Sequence, residues 1–156
     1  MAATAEILPA ADVSAEDLGR ADVYALLSRL FYAPPDAAVL KHLRDFGRAD
    51  DAGSAFAAAL RELQAASARD AAALREEFDR LFWGVGRPQV MVYGSCYLTG
   101  FMNERPLAEL RDDLARLGFA RSAHAAEPED HIAALCDVMR LLILGGADLA
   151  TQQAFF

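Results

Sequence analysis

The sequence predicts an all-α fold, a single-domain helical bundle of about six or seven helices, on three observations. Apolar residues recur three and four positions apart along most of the chain, with no sustained alternation. Alanine is abundant and β-branched residues are sparse, which favours helix over strand. The third observation is the stretch Glu127 to Leu144, where Ile132, Leu135, Cys136, Met139, Leu142 and Ile143 form one continuous apolar stripe. Ala134, Val138 and Leu141 widen it until only Ala133, Asp137 and Arg140 are left for solvent. A helix so nearly apolar all round belongs at the centre of a bundle. Pro128 reads as its first helical residue, because the N–H that proline lacks would be orphaned there anyway.

The elements follow in order. Residues 1–13 read as a flexible, Ala-rich lead, and residues 14–156 as the helical domain. Ser14 with Asp17 makes an approximate capping box for a first helix that runs to about Tyr32 and is stopped by Pro34-Pro35. Asp36 caps a second helix through Leu40, Leu43 and Phe46, ended by Gly47. After a polar connector, Phe56, Leu60 and Leu63 mark a third, peripheral helix. A fourth starts near Arg69, carries Leu74, Phe78, Leu81 and Phe82, and ends in Trp83-Gly84-Val85-Gly86-Arg87-Pro88. Residues 89–103 read as one long irregular segment rich in aromatics, a length that in a compact domain marks function or disorder. Asn103 and Pro106 open a fifth helix with Leu107, Leu110, Leu114 and Leu117 inward, closed by Gly118. The apolar helix follows, is broken by Gly145-Gly146, and a further helix starts at Ala147.

The totals exclude several classes. A chain of 156 residues is long enough for one domain that buries about two thirds of its unfolded surface. The formal charge of −8 disfavours nucleic-acid backbones and anionic membranes and leaves room for a basic partner. Cys96 and Cys136 make neither a disulfide framework nor a CxxC pair, and Cys136 reads as a small core residue. No apolar run is long enough to span a bilayer, and the start of the chain lacks the pattern of a secretory signal, so a cytoplasmic location is expected.

The polar residues that invite a chemical reading are Asp130 and His131, with Ser95 and Cys96 as conceivable nucleophiles. Neighbouring residues on a helix point about 100° apart, so Asp130 cannot orient His131 as a triad acid orients its base. A simpler role is that Asp130 caps backbone amides and His131 ties down a loop. Near a helix N-terminus the imidazole is expected to be neutral at pH 7. His42, His124 and His131 lack metal-ligand spacing, so no metal or cofactor is expected. Gly84-Val85-Gly86 is only a fragment of a phosphate loop. Tyr93, Tyr97 and Phe101 read either as plugs for an open side of the bundle or as the rim of a peptide groove.

Three motifs carry a resemblance. Glu77-Phe78-Asp79-Arg80-Leu81-Phe82-Trp83-Gly84-Val85-Gly86, then Val92-Tyr93-Gly94-Ser95-Cys96-Tyr97, then Glu127-Pro128-Glu129-Asp130-His131 with Met139 stand in the order and spacing found in the TorD/DmsD/NarJ family. These are maturation chaperones for molybdenum-containing redox enzymes, and the chain resembles them from about Val23 to Phe156. Val85 and Val92 stand where the family usually has proline, and members usually continue for some tens of residues past Phe156.

The resemblance implies a non-catalytic chaperone without a cofactor. Its partner would be the apo form of a molybdenum-enzyme catalytic subunit, bound through a twin-arginine leader or other N-terminal segment and held for cofactor insertion before export. It implies Asp130, His131, Trp83, Tyr93, Ser95 and Tyr97 as peptide-binding residues, with Glu77, Arg80, Phe82, Gly84, Gly86 and Pro128 supporting them. Glu77 and Arg80 read as an internal ion pair that fixes this loop, or, three residues apart, as groups that engage different partners. A homodimer, through exchanged helices or otherwise, is compatible with the family. The alternative from another class is a small nucleotide-binding or hydrolytic enzyme that uses His131 with Cys96 or Ser95.

Overall fold

The computed structural model describes residues 13–47, 53–84, 88–102 and 105–156. The lead over 1–12, the cap at Asn103, and Val85 and Gly86 lie outside the described residues. Within them the chain forms α1 (Ala15–Tyr32), α2 (Ala37–Asp45), α3 (Ala55–Ala66), α4 (Ala71–Phe78), a π-helical turn (Asp79–Trp83), α5 (Gly94–Thr99), α6 (Arg105–Arg116), α7 (Ile132–Leu144) and α8 (Leu149–Phe155). The predicted all-α class is what is found. The sole extended pairing among the described residues is an isolated antiparallel bridge between Tyr93 and His131. The chain divides into two compact units, one running to Tyr32 and again from Met91 to Phe156, the other from Ala33 to Val90.

The first unit is organised by α1 against α7. Ser14 caps α1 as its sequence predicts: its Oγ accepts from the Asp17 amide at 3.1 Å and donates to the Asp17 carboxylate at 2.8 Å. The two helices run antiparallel, since Tyr32 at the end of α1 lies edge-on to His131 at the start of α7. Ala21 and Leu26 of α1, and Ala133, Cys136, Met139, Leu142 and Ile143 of α7, form the core between them. Each large side chain buried this way contributes about 1.5–3 kcal/mol. Burial also pushes the Cys136 thiol up to about 11, so it stays a neutral core group.

Two expectations for α7 are corrected. Ala133 is buried instead of facing solvent, whereas Leu135, Val138 and Leu141 are half-buried. The apolar surface of this helix is so wide that periodicity alone does not say which flank packs. Pro128 is not its first residue either. The Pro128 carbonyl accepts from the His131 amide at 3.2 Å, which closes a turn, and the helix starts only at Ile132. At the other end Gly146 takes φ 73°, a left-handed conformation that glycine adopts without a Cβ penalty, and the chain turns into α8. Gln152 of α8 is anchored on both sides: it accepts from Arg20 at 2.6 Å and donates to the Ala147 carbonyl at 2.8 Å.

The second unit holds α2, α3, α4 and the π turn. Asp36, Ser54 and Asp70 each cap the helix that follows, accepting from the amides of Val39, Ala57 and Ala73. Arg44 donates to the Ser67 carbonyl at 3.0 Å and Gln64 to the Phe46 carbonyl at 2.8 Å, which fastens α2 to α3. The fourth predicted helix is α-helical only to Phe78; its continuation to Trp83 widens to π geometry, closed by Gly84 N–H donating to the Asp79 carbonyl at 2.8 Å. Turns of this kind often mark functional positions.

Candidate functional site

The third motif lies in the turn between α6 and α7, and each of its polar side chains reaches a different part of the first unit. The Glu127 carboxylate accepts from the Tyr93 hydroxyl at 2.6 Å. Glu129 accepts a two-pronged bond from Arg111 of α6, at 3.0 and 2.9 Å. This guanidinium holds the Glu129 carboxyl below its ordinary range. Asp130 accepts from the Ser95 amide at 2.9 Å and the Ser95 hydroxyl at 2.6 Å through one oxygen. His131 is the N-cap of α7, its Nδ1 accepting from the Ala133 amide at 3.1 Å.

Backbone pairing reinforces these bonds. Gly94 N–H donates to the Asp130 carbonyl at 3.0 Å and Ile132 N–H to the Val92 carbonyl at 2.8 Å, on either side of the Tyr93–His131 bridge. The residues just before α5 are thereby bound to those just before α7. Residue Tyr93, at the N-cap position of α5, gives that helix no side-chain cap. Asp130 supplies one from 35 residues away, meeting an amide that the local sequence leaves orphaned.

The sequence places a long irregular segment here, and the structure corrects it: Gly94–Thr99 is helical, closed by Gly100 at φ 83°. The local sequence shows no helix because its cap is distant and its six residues make fewer than two turns.

Asp130 and His131 are each only 5% exposed, and no buried side-chain polar atom among the described residues lacks a partner. Burial drives the His131 imidazole below its ordinary value against the opposing pull of Glu127 and Asp130. An imidazole accepting at Nδ1 carries its hydrogen on Nε2, so it is neutral. Its ring meets Tyr93 edge-on at 5.2 Å and Tyr32 edge-on at 6.3 Å. Burial, then the Glu127 bond, raises the Tyr93 phenol far above its usual value. Tyr93→Phe removes that bond alone and is expected to cost about 1 kcal/mol, measured by urea unfolding.

Above this base stands a ridge that sequence reasoning leaves incomplete. Tyr97, Leu98 and Phe101 are 70%, 74% and 69% exposed, and Met102 is also open. The Tyr97 hydroxyl donates to the Met91 carbonyl at 2.9 Å, which pins the ring to the loop while its face stays in solvent. Tyr97 and Phe101 therefore do not plug the bundle. Leu98 and Met102 carry no motif, and a helical reading of the segment would have singled out only Leu98.

The structure brings together Asp130, His131, Tyr93, Ser95, Tyr97 and Pro128 in the first unit. Trp83, Glu77, Arg80, Phe82 and Gly84 belong to the second. There Trp83 is exposed at the end of the π turn, and Phe82 packs against Phe78 with ring centres 4.8 Å apart. Of the two readings for Glu77 and Arg80, the ion pair is not formed: Glu77 takes its bond from a different partner, Arg69, at 2.6 Å, and Arg80 is exposed. Ser95 gives its hydroxyl to Asp130 and His131 uses Nδ1 on the backbone, so these two do not form a nucleophile–base pair. Among the described residues no group of side chains is arranged to hold a metal ion, and no helix is long and apolar enough to cross a membrane. A shallow depression of about 260 Å³ lies elsewhere, between the start of α1 and the α7–α8 turn, and its Asp17 and Gln152 are already paired with Arg20.

Fold and site define an all-helical protein in which the second and third motifs are hydrogen-bonded to one another. The profile of the nitrate reductase delta subunit family matches residues 49–156, and the chain belongs to that family. The motif resemblance to TorD- and NarJ-type proteins is thereby borne out. The chain is similar to the chaperone protein TorD of Aliivibrio fischeri, 28% identical over 138 residues, covering 80% of this chain and 64% of that one. It thus spans a little under two thirds of the length of this curated relative. Its fold resembles the crystal structure of a proposed redox enzyme maturation protein from Archaeoglobus fulgidus, with a TM-score of 0.55, 21% identity, and coverage of 78% of this chain and 70% of that one.

Proposed function

We propose that this chain is a maturation chaperone that binds the N-terminal segment of a molybdenum-enzyme catalytic subunit, its twin-arginine leader, in the cytoplasm before export. Membership of the family sets the class. The observation that carries the reading is the open apolar ridge of Tyr97, Leu98 and Phe101, fixed on a fully hydrogen-bonded base. Exposed apolar surface of this kind marks an interaction site, and a leader's apolar stretch is a matching guest. The net charge of −8 favours the leader's arginines. In this reading Asp130, His131, Ser95 and Tyr93 position the ridge, while Tyr97 and its apolar neighbours touch the guest. Trp83, exposed on the second unit, offers an aromatic contact of its own.

Calorimetric titration with the leader peptide of an oxidoreductase encoded beside this gene tests the proposal. Micromolar binding is expected, absent for a scrambled peptide of the same composition. Leu98→Ser combined with Phe101→Ser is expected to weaken it at least about tenfold while helicity is kept. No heat at tens of micromolar with any N-terminal segment of the client overturns the function. Unchanged binding by the double variant overturns the choice of ridge.

A further inference from the structure

The cap on α7 is unusual in kind, because an imidazole accepts only while its nitrogen is unprotonated, whereas an Asp, Ser or Asn cap has no such condition near neutral pH. We propose that His131 is an acid-released latch: a proton taken at Nδ1 breaks the N-terminal cap of α7 and frees the loop carrying α5.

The geometry leaves no mild response. A protonated Nδ1 would set a donor against the Ala133 amide, now 3.1 Å away, so the ring has to turn. Tyr93 and Tyr32 confine it edge-on, and its own backbone is held in the bridge to Tyr93. Among the described residues, the groups placed around it are these. Tyr32 comes from α1, with Arg29 exposed one turn earlier; Tyr93 precedes α5; Glu127 and Asp130 come from its own turn. The last two are the natural acceptors for a turned imidazolium. They are also the acceptors now holding Tyr93 and Ser95. Protonation thus sets His131 in competition with the bonds that fasten α5. The inference rests on the cap and does not depend on which partner the ridge takes.

The direction in pH follows. Burial lowers the folded imidazole below its ordinary 6.5, so the contribution to stability is complete above that value. It is lost as the pH falls, because the unfolded chain takes the proton first.

Amide hydrogen exchange on the full chain, corrected for intrinsic rates, is the test. Between pH 7.5 and 5, protection across 92–99 and 131–136 is expected to fall at least tenfold in the wild type. His131→Asn, which keeps a capping oxygen and removes the titration, is expected to show no such fall. An equal fall in both proteins, or in neither, overturns the latch. Should the variant not fold, nitrogen chemical shifts of the wild-type imidazole decide: Nδ1 must take up its proton at the same pH at which protection is lost, and separate midpoints overturn the proposal.

Discussion

Asp130→Ala is expected to destabilise the protein by about 3 kcal/mol, lowering its thermal midpoint by roughly 6–12 °C. The change removes one carboxylate and strands two donors, the Ser95 amide and hydroxyl, in a residue only 1% exposed. Donors left buried without an acceptor cost more than the bond itself contributed. Asp130→Asn keeps an oxygen that can accept from the amide and is expected to lose less than half as much. A double-mutant cycle with Ser95→Ala checks the assignment: removing both partners must be milder than the sum of the two single changes. Additive losses would show that Asp130 acts through something other than Ser95.

The second large effect is expected at Ile143, which is 2% exposed near the end of α7. Ile143→Ala leaves a cavity in the α1–α7 core and is expected to cost about 3–4 kcal/mol in urea or thermal unfolding. Leu149→Ala, at a residue 61% exposed, is the control and is expected to change stability by no more than about 0.5 kcal/mol. A small loss at Ile143 would mean that the core is plastic enough to close the gap.

These cases divide what the sequence makes legible from what it does not. Local chemistry reads well. Ser14 and Asp36 cap the helices they precede because donor and acceptor lie three residues apart. Gly118 and Gly146 end theirs because only a residue without a Cβ takes a left-handed turn easily. The apolar stripe of α7 finds the core, although its width hides that Ala133 faces inward. What is missed depends on distant partners. α5 has no cap in its own neighbourhood, and Pro128 heads no helix because a turn closes over Glu129 and Asp130 and the bridge to Tyr93 keeps His131 extended.

The candidate site divides the same way. Asp130 and His131 are singled out by their place at the head of the apolar stripe, and both do meet the aromatic segment. Their bonds, however, run inward to Ser95 and to the start of α7. Nothing within a helical turn of Glu77 reveals that its partner is Arg69, nor does Glu129 betray a tie to Arg111. Leu98 looks like an ordinary loop hydrophobic until a short helix sets it on the surface.

The remote cap on α5 has a consequence for how the chain acquires its shape. During synthesis Ser95 leaves the ribosome 35 residues before the carboxylate that completes its helix. Until that residue emerges, Tyr97 and Leu98 sit on a segment too short to hold helical form alone. The exposed surface carried by α5 is therefore a late product of folding, and a half-made chain holds those side chains on an unorganised segment.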